Sequence, residues 1–236
     1  MREFRLGIVL ALMLVVANAG ASCAQVQEQG VQAGGVNAVL IKPKSPRASI
    51  ILLTGGDGYL GIDSNGDITR GEGNQLVRTR NAYAARGFAV LVPDNGFDLG
   101  ALVTYMGQIK RPVAVVATSR GTQRAAHGLA AGARPDRLVL TSGFLSDASG
   151  DGDNAINILG SPSVLPPTLI VHHRQDGCFK TLPAGVAPFL AWAHGKAKVV
   201  WLSGGEDSGD PCEAQGHHGF AGLDGQVVST VSAFVR

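Results

Sequence analysis

The sequence predicts an α/β domain whose central sheet is mostly parallel and carries helices on both faces. Three observations lead there. Apolar runs of strand length recur along the chain, helical stretches separate them, and many of the 33 glycines among 236 residues fall between the two kinds of segment, where tight turns are needed.

The elements follow in order. Residues 36–41 and 48–53 read as strands, the second an uninterrupted apolar run of the kind buried on both faces of a sheet. Residues 55–61, Gly-Gly-Asp-Gly-Tyr-Leu-Gly, form a loop. Residues 74–86 carry Leu76, Val77, Tyr83 and Ala84 at helical spacings, and Gly87 stops that helix. A strand at 88–92 ends at Pro93, a helix spans about 99–110, and the strand beginning at Val113 leads into an alanine-rich helix that Gly132 closes. Strands at 138–141, 168–172 and 198–202 then alternate with helices at 185–193 and 224–234. Residues 143–167 are rich in Gly, Ser, Asp and Pro and too few to build a substantial lid, which predicts an open site.

Composition narrows the function. With 45% hydrophobic and 16% charged residues the chain is globular, and a net charge of +2 with scattered basic residues speaks against a nucleic-acid partner. Residues 1–24 read as an export signal: Arg2 and Arg5, an apolar run from Leu6 to Ala17, then small residues ending at Ala24. The run is too short to span a bilayer, so the mature chain of 25–236 is expected to be a single domain, periplasmic or secreted, without stable membrane insertion. A lipid anchor on Cys23 is the lesser alternative, because Gly20 stands where such signals carry a larger aliphatic residue. Removing the signal leaves Cys178 and Cys212, an even count that predicts a disulfide in an oxidising compartment.

In sheets of this kind, chemistry collects at the carboxyl ends of the strands. Ser119 stands there in Ala117-Thr118-Ser119-Arg120-Gly121, a strand-to-helix turn with small residues on either side. A sharp turn projects the hydroxyl beside a base and aims the new helix's N–H groups at a developing oxyanion. Gly56 or Asp57 in the loop after the second strand would supply one N–H donor and Arg120 another. That loop lacks the Gly-Lys-Ser/Thr ending of a phosphate cradle, and Tyr59 within it is a candidate for the substrate pocket. Asp176 follows the strand at 168–172 as candidate acid, and the last strand's loop offers His217 and His218 as base. Ser, Asp and His thus occur in that order on three separate post-strand loops.

With these residues in place the chain resembles the α/β-hydrolases, of a small, lidless, exported type. The resemblance runs from about residue 36 to the C-terminus and rests on the segments 53–62, 117–122, 171–178 and 211–220. It implies a triad of Ser119, Asp176 and His218, since similar sequences carry the catalytic histidine directly before Gly-Phe. It implies hydrolysis of a small carboxylic ester or acyl compound through an acyl-enzyme, with no cofactor. Ala117 departs from the family glycine at a position that needs only smallness. A Cys178–Cys212 bond would tie the acid loop to the base loop and restrain the long histidine loop.

Two other readings compete. His172, His173, Asp176, His217 and His218 are metal-ligand types, although their spacing matches no common closed site and leaves Ser119 unused. A binding protein on a retired hydrolase scaffold would keep the fold without the reaction. His172 reads as a hydrogen-bonded core histidine, Trp192 and Trp201 as core, and Asp94 and Asp98 as turn residues.

Overall fold

The computed structural model describes residues 27–236. The proposed export segment and Cys23 lie outside these described residues. One eight-stranded sheet is formed by β1 (Glu28–Ala33), β2 (Val36–Ile41), β3 (Ala48–Leu53), β4 (Phe88–Pro93), β5 (Val113–Thr118), β6 (Arg137–Thr141), β7 (Thr168–His173) and β8 (Ala197–Leu202), in the order β1-β2-β4-β3-β5-β6-β7-β8. The β1–β2 and β2–β4 pairs are antiparallel and the others parallel. Every residue of β3, β4 and β5 is buried, as apolar runs in a sheet covered on both faces must be.

Helices α1 (Gln75–Ala85) and α6 (Asp224–Val235) cover one face with Leu76, Val77, Tyr83, Val227, Val228 and Val231. Helices α2 (Leu99–Ile109), α3 (Gly121–Ala130) and α5 (Val186–Trp192) cover the other through Leu102, Met106, Ala125, Leu129, Val186 and Phe189. Strand β3 lies between β4 and β5, so the chain turns to opposite sides of it in succession. The crevice for a ligand in such a sheet opens at this reversal, and it puts the loop after β3 beside the turn after β5.

One strand escapes the sequence reading. Strand β1, Glu-Gln-Gly-Val-Gln-Ala, is polar because it is the sheet edge and only Ala33 is buried. Its signal is the Gly34-Gly35 pair, both with positive φ (59° and 85°), which closes a two-residue hairpin onto β2. Between β6 and β7 the chain forms a five-residue helix, α4 (Ala155–Leu159), packed on α3, and two short 3-10 turns.

Candidate active site

The turn after β5 is tight and strained. Ser119 has φ of 52°, a left-handed conformation that costs a non-glycine residue roughly 1–2 kcal/mol. Its N–H donates to the Thr141 carbonyl at 3.0 Å and its carbonyl accepts from Thr122 N–H at 2.9 Å, which fixes the hand-over from strand to helix. Gly121 is required by contact: a Cβ there would land on the Leu53 carbonyl oxygen and lie 2.7 Å from that of Thr54. Ala117, fully buried in β5, already carries a Cβ without conflict.

The loop after β3 faces this turn. A Cβ placed on Gly55 would stand 3.1 Å from Cβ of Ser119. Gly56 takes a positive φ of 58°, and the Gly58 N–H closes onto the Gly55 carbonyl at 3.2 Å. The N–H groups of Gly56, Asp57 and Arg120 make no hydrogen bond among the described residues. Asp57 turns its carboxylate onto Tyr59 N–H (2.9 Å), while Asp94 accepts from Leu60 and Ile62 N–H at 2.8 and 3.0 Å and anchors the far end of the loop. Arg124 of α3 donates to the carbonyls of Thr54, Gly55 and Gly56.

Opposite stands a buried acid–base pair. Nδ1 of His218 lies 3.1 Å from Oδ2 of Asp176, and both residues are almost wholly buried. The other carboxylate oxygen accepts from Cys178 N–H at 3.0 Å. Thr181 Oγ1 donates to Oδ2 at 3.2 Å and lies 3.0 Å from His218 Nδ1. The main chain of His218 is pinned by Ser142 Oγ, which donates to its carbonyl at 2.8 Å. Gly219 packs where a Cβ would overlap the backbone of Ala214, and buried Phe220, with φ of 56°, ends the turn and sinks into the core. This is the physical content of His-Gly-Phe: one residue to present, one to pass close, one to anchor.

Ser119, His218, Gly56, Asp57 and Tyr59 line one cavity of about 440 Å³, walled also by residues 70–75 and 212–215. No residue of 143–167 reaches it. Ser119 Oγ makes no hydrogen bond to His218, whose side-chain hydrogen bonds run through Nδ1 to Asp176 and Thr181. Tyr59 is half exposed at the mouth, with the Arg70 guanidinium 5.5 Å from its ring centre. Cys178 and Cys212 form a disulfide with Cα atoms 4.5 Å apart, and Cys212 borders the cavity.

The remaining histidines are drawn elsewhere. His217 stacks on His173 at 4.1 Å and turns Nδ1 to the Gln175 carbonyl at 3.3 Å. Both nitrogens of His173 are engaged, one by Gly204 and one by Gln175, so the five residues of the metal reading do not converge on one point. Among the described residues no cluster of three or more His, Cys, Asp or Glu side chains is arranged to hold a metal ion. His172 is completely buried; its Nδ1 meets the His173 carbonyl at 3.1 Å, and its Nε2, 4.0 Å from Asp176 Oδ2, has no hydrogen-bond partner among the described residues. Burial pushes the His172 pKa down against the raising influence of Asp176, and burial lowers that of His173 as well.

Thr181, Ser142 and Arg124 carry no motif in the sequence, and only the folded arrangement reveals them. Asp94, expected to serve a turn, does so across 34 residues by holding the loop that borders the cavity.

No protein-family model matches the sequence, and no curated protein matches it. The fold has many solved counterparts. The esterase domain of a Rhodothermus marinus protein superposes with a TM-score of 0.61 at 15% identity, over 89% of this chain and 97% of that one. An alpha-beta serine hydrolase homologue from Coxiella burnetii gives 0.60 at 14% identity, over 95% and 100%. Dienelactone hydrolase from Anabaena variabilis gives 0.59 at 16% identity, over 89% and 96%. The chain has the α/β-hydrolase fold.

Proposed function

We propose that this protein is a serine hydrolase of carboxylic esters or related acyl compounds, working through an acyl-enzyme. The observation that carries the reading is the left-handed Ser119, set on the same cavity as His218, which is paired with buried Asp176, and as Gly56 and Asp57, whose N–H groups have no partner among the described residues. In this mechanism Ser119 Oγ attacks the carbonyl carbon while Nε2 of His218 takes its proton. Asp176 holds Nδ1 protonated and stabilises the imidazolium. Negative charge grows on the carbonyl oxygen and is met by N–H groups of Arg120 and of Gly56 or Asp57. His218 returns the proton to the departing alcohol, and water, activated by the same histidine, releases the acid and restores Ser119.

The esterases and the dienelactone hydrolase among the structures that share this fold support this chemistry, and the 440 Å³ cavity supports small substrates. We further propose export to an oxidising compartment, which the Cys178–Cys212 disulfide supports. The test is turnover of short p-nitrophenyl esters by the mature chain and by Ser119→Ala, with fluorophosphonate labelling read by intact mass. Turnover and label lost together in the variant establish the serine mechanism. Absence of both in the wild type makes the chain a binding protein on a hydrolase scaffold, and turnover that survives Ser119→Ala moves the chemistry to another group.

A further inference from the structure

Arg124 lies one and a half turns beyond Ser119 and touches neither the cavity nor the His218–Asp176 pair. Its guanidinium donates from Nη1 to the Gly56 carbonyl at 3.2 Å, and from Nη2 to the Gly55 carbonyl at 3.3 Å and to the Thr54 carbonyl. Three consecutive carbonyls of the loop after β3 therefore converge on one side chain. In a trans peptide the C=O and the following N–H point in opposite directions, so binding the Gly55 and Gly56 carbonyls turns the N–H groups of Gly56 and Asp57 away from Arg124. The loop lies between α3 and the cavity, and those N–H groups have no partner within the described residues. Three carbonyl oxygens gathered on one side chain also repel one another, and a loop with glycine at 55, 56 and 58 has ample freedom to relieve that. A planar fork with donors on two nitrogens holds the arrangement in a way a single ammonium does not. The packing is built for it: a Cβ on Gly58 would come within 2.8 Å of the guanidinium carbon. Burial pushes the Arg124 pKa down while the neighbouring Asp57 raises it, which marks the cation as one partly withdrawn from water to make these contacts.

We propose that Arg124 is a positioning residue that preorganises the oxyanion donors, by clamping the carbonyls of Thr54, Gly55 and Gly56 so that the N–H groups of Gly56 and Asp57 face the carbonyl oxygen of a substrate on Ser119. The inference rests on the serine-hydrolase reading for its catalytic consequence and on the clamp alone for its structural one. Donors that need no reorganisation during the reaction lower the barrier without tightening ground-state binding, so the effect falls on kcat.

The experiment compares wild type, Arg124→Ala and Arg124→Lys in p-nitrophenyl acetate turnover and in amide hydrogen exchange, with residues 137–141 as internal control. The expected result is a kcat lowered roughly 10- to 100-fold in Arg124→Ala with KM within about twofold. Faster exchange confined to residues 54–60 accompanies it, and Arg124→Lys falls between. Methylguanidinium restores part of the lost kcat, entering from a surface groove of about 550 Å³ that borders Arg124 on the side of α2. Wild-type kcat in either folded variant, or unchanged exchange over 54–60, overturns the clamp. If Arg124→Ala does not fold, Arg124→Lys decides alone, since it keeps the charge and loses the fork. A wild type without turnover or label defeats the hydrolase reading instead, and the exchange arm still decides whether Arg124 holds the loop.

Discussion

Thr181 Oγ1 lies 3.0 Å from Nδ1 of His218. Its hydroxyl hydrogen goes to Asp176 Oδ2, so the same oxygen is free to accept, with the carboxylate, from the Nδ1–H of the histidine. The three side chains close a small ring that keeps the proton on Nδ1 and leaves Nε2 toward the cavity. Thr181→Val removes the hydroxyl at constant volume. Hydrogen bonds to charged groups are worth about 1.5–3 kcal/mol, and these bonds meet a carboxylate and a histidine that becomes cationic, so kcat should fall roughly 10- to 100-fold with KM unchanged, and Thr181→Ser should restore it. Steady-state kinetics of the two variants checks this; full activity in Thr181→Val would reduce the hydroxyl to a packing role.

Acid sensitivity should trace to His172. Burial holds its pKa below the ordinary 6.5, so beneath that pH the unfolded chain binds a proton that the folded chain resists. The stability its neutral form contributes is present above pH 6.5 and is lost as the pH falls from there through the folded-state value. His173, lowered in the same direction, adds to the loss. His172→Phe keeps a ring beside Trp201, and the His173 carbonyl still accepts from Asp176 N–H. Urea unfolding between pH 7.5 and 5 should show a shallower decline in the variant, by at most about 1.4 kcal/mol per pH unit. Equal slopes in both proteins would place the acid sensitivity elsewhere.

Arg78 joins three segments that border or support the cavity. It donates to the Gly73 carbonyl at 2.6 Å and the Gly219 carbonyl at 2.7 Å and pairs with Asp224 at 2.8 Å. Asp224 is 41% exposed, so the ion pair itself is discounted, and the two charge-assisted bonds to carbonyls carry most of the effect. Arg78→Ala should destabilise by about 1–3 kcal/mol in chemical denaturation. Asp224→Asn should cost under about 1 kcal/mol, and a reversed order would mean the pair dominates.

The parallel strands, and a loop with chemical candidates after each of several, are legible in the sequence because apolar runs and glycine turns are local signals. Strand β1 is not, because an edge strand needs no apolar alternation and shows only its Gly34-Gly35 turn. Of the site, Ser119, Asp176 and the two adjacent histidines are legible as residue types at strand ends. Resemblance to a family separates His218 from His217 in the sequence; in the fold His218 Nδ1 lies 3.1 Å from Asp176 Oδ2, while His217 stacks on His173. Thr181, Ser142 and Arg124 are invisible because each acts through one long-range hydrogen-bonded contact or set of contacts that no local pattern encodes.

The disulfide should matter twice. Residues 178 and 212 are 34 apart, a loop for which the chain-entropy model gives about 3–4 kcal/mol of stabilisation. The bond also ties the segment whose Cys178 N–H serves Asp176 to the loop that carries His218. Cys178→Ala with Cys212→Ala should therefore lower stability by about that amount, and below the melting transition it should lower kcat several-fold by loosening the acid–base pair. Melting curves and kinetics on the double variant check both parts. Stability lost with kcat unchanged would confine the bond to the unfolded-state effect.

The small residues two positions either side of Ser119 should both matter for stability, but only one of them for turnover. A Cβ at position 121 has no room, since it would meet the Leu53 and Thr54 carbonyls, two backbone atoms that cannot rotate away. Gly121→Ala must push α3 off β3, and with it the Arg120 N–H and the Arg124 guanidinium. Strain of this kind costs about 1–3 kcal/mol, and misplacing the donors should lower kcat by 10²-fold or more, an order-of-magnitude figure for a displaced catalytic group. Ala117 is different: its Cβ is buried on one face of the sheet, in the core cluster that also holds Leu53 and Leu140, its register partners on β3 and β6. Ala117→Gly removes one methyl from the core and frees a strand backbone, which should destabilise by about 1 kcal/mol and leave kcat within about twofold. Measuring denaturation midpoints and kcat for both variants separates the positions. If Ala117→Gly loses activity as Gly121→Ala does, the alanine methyl is setting the angle of the turn rather than filling the strand.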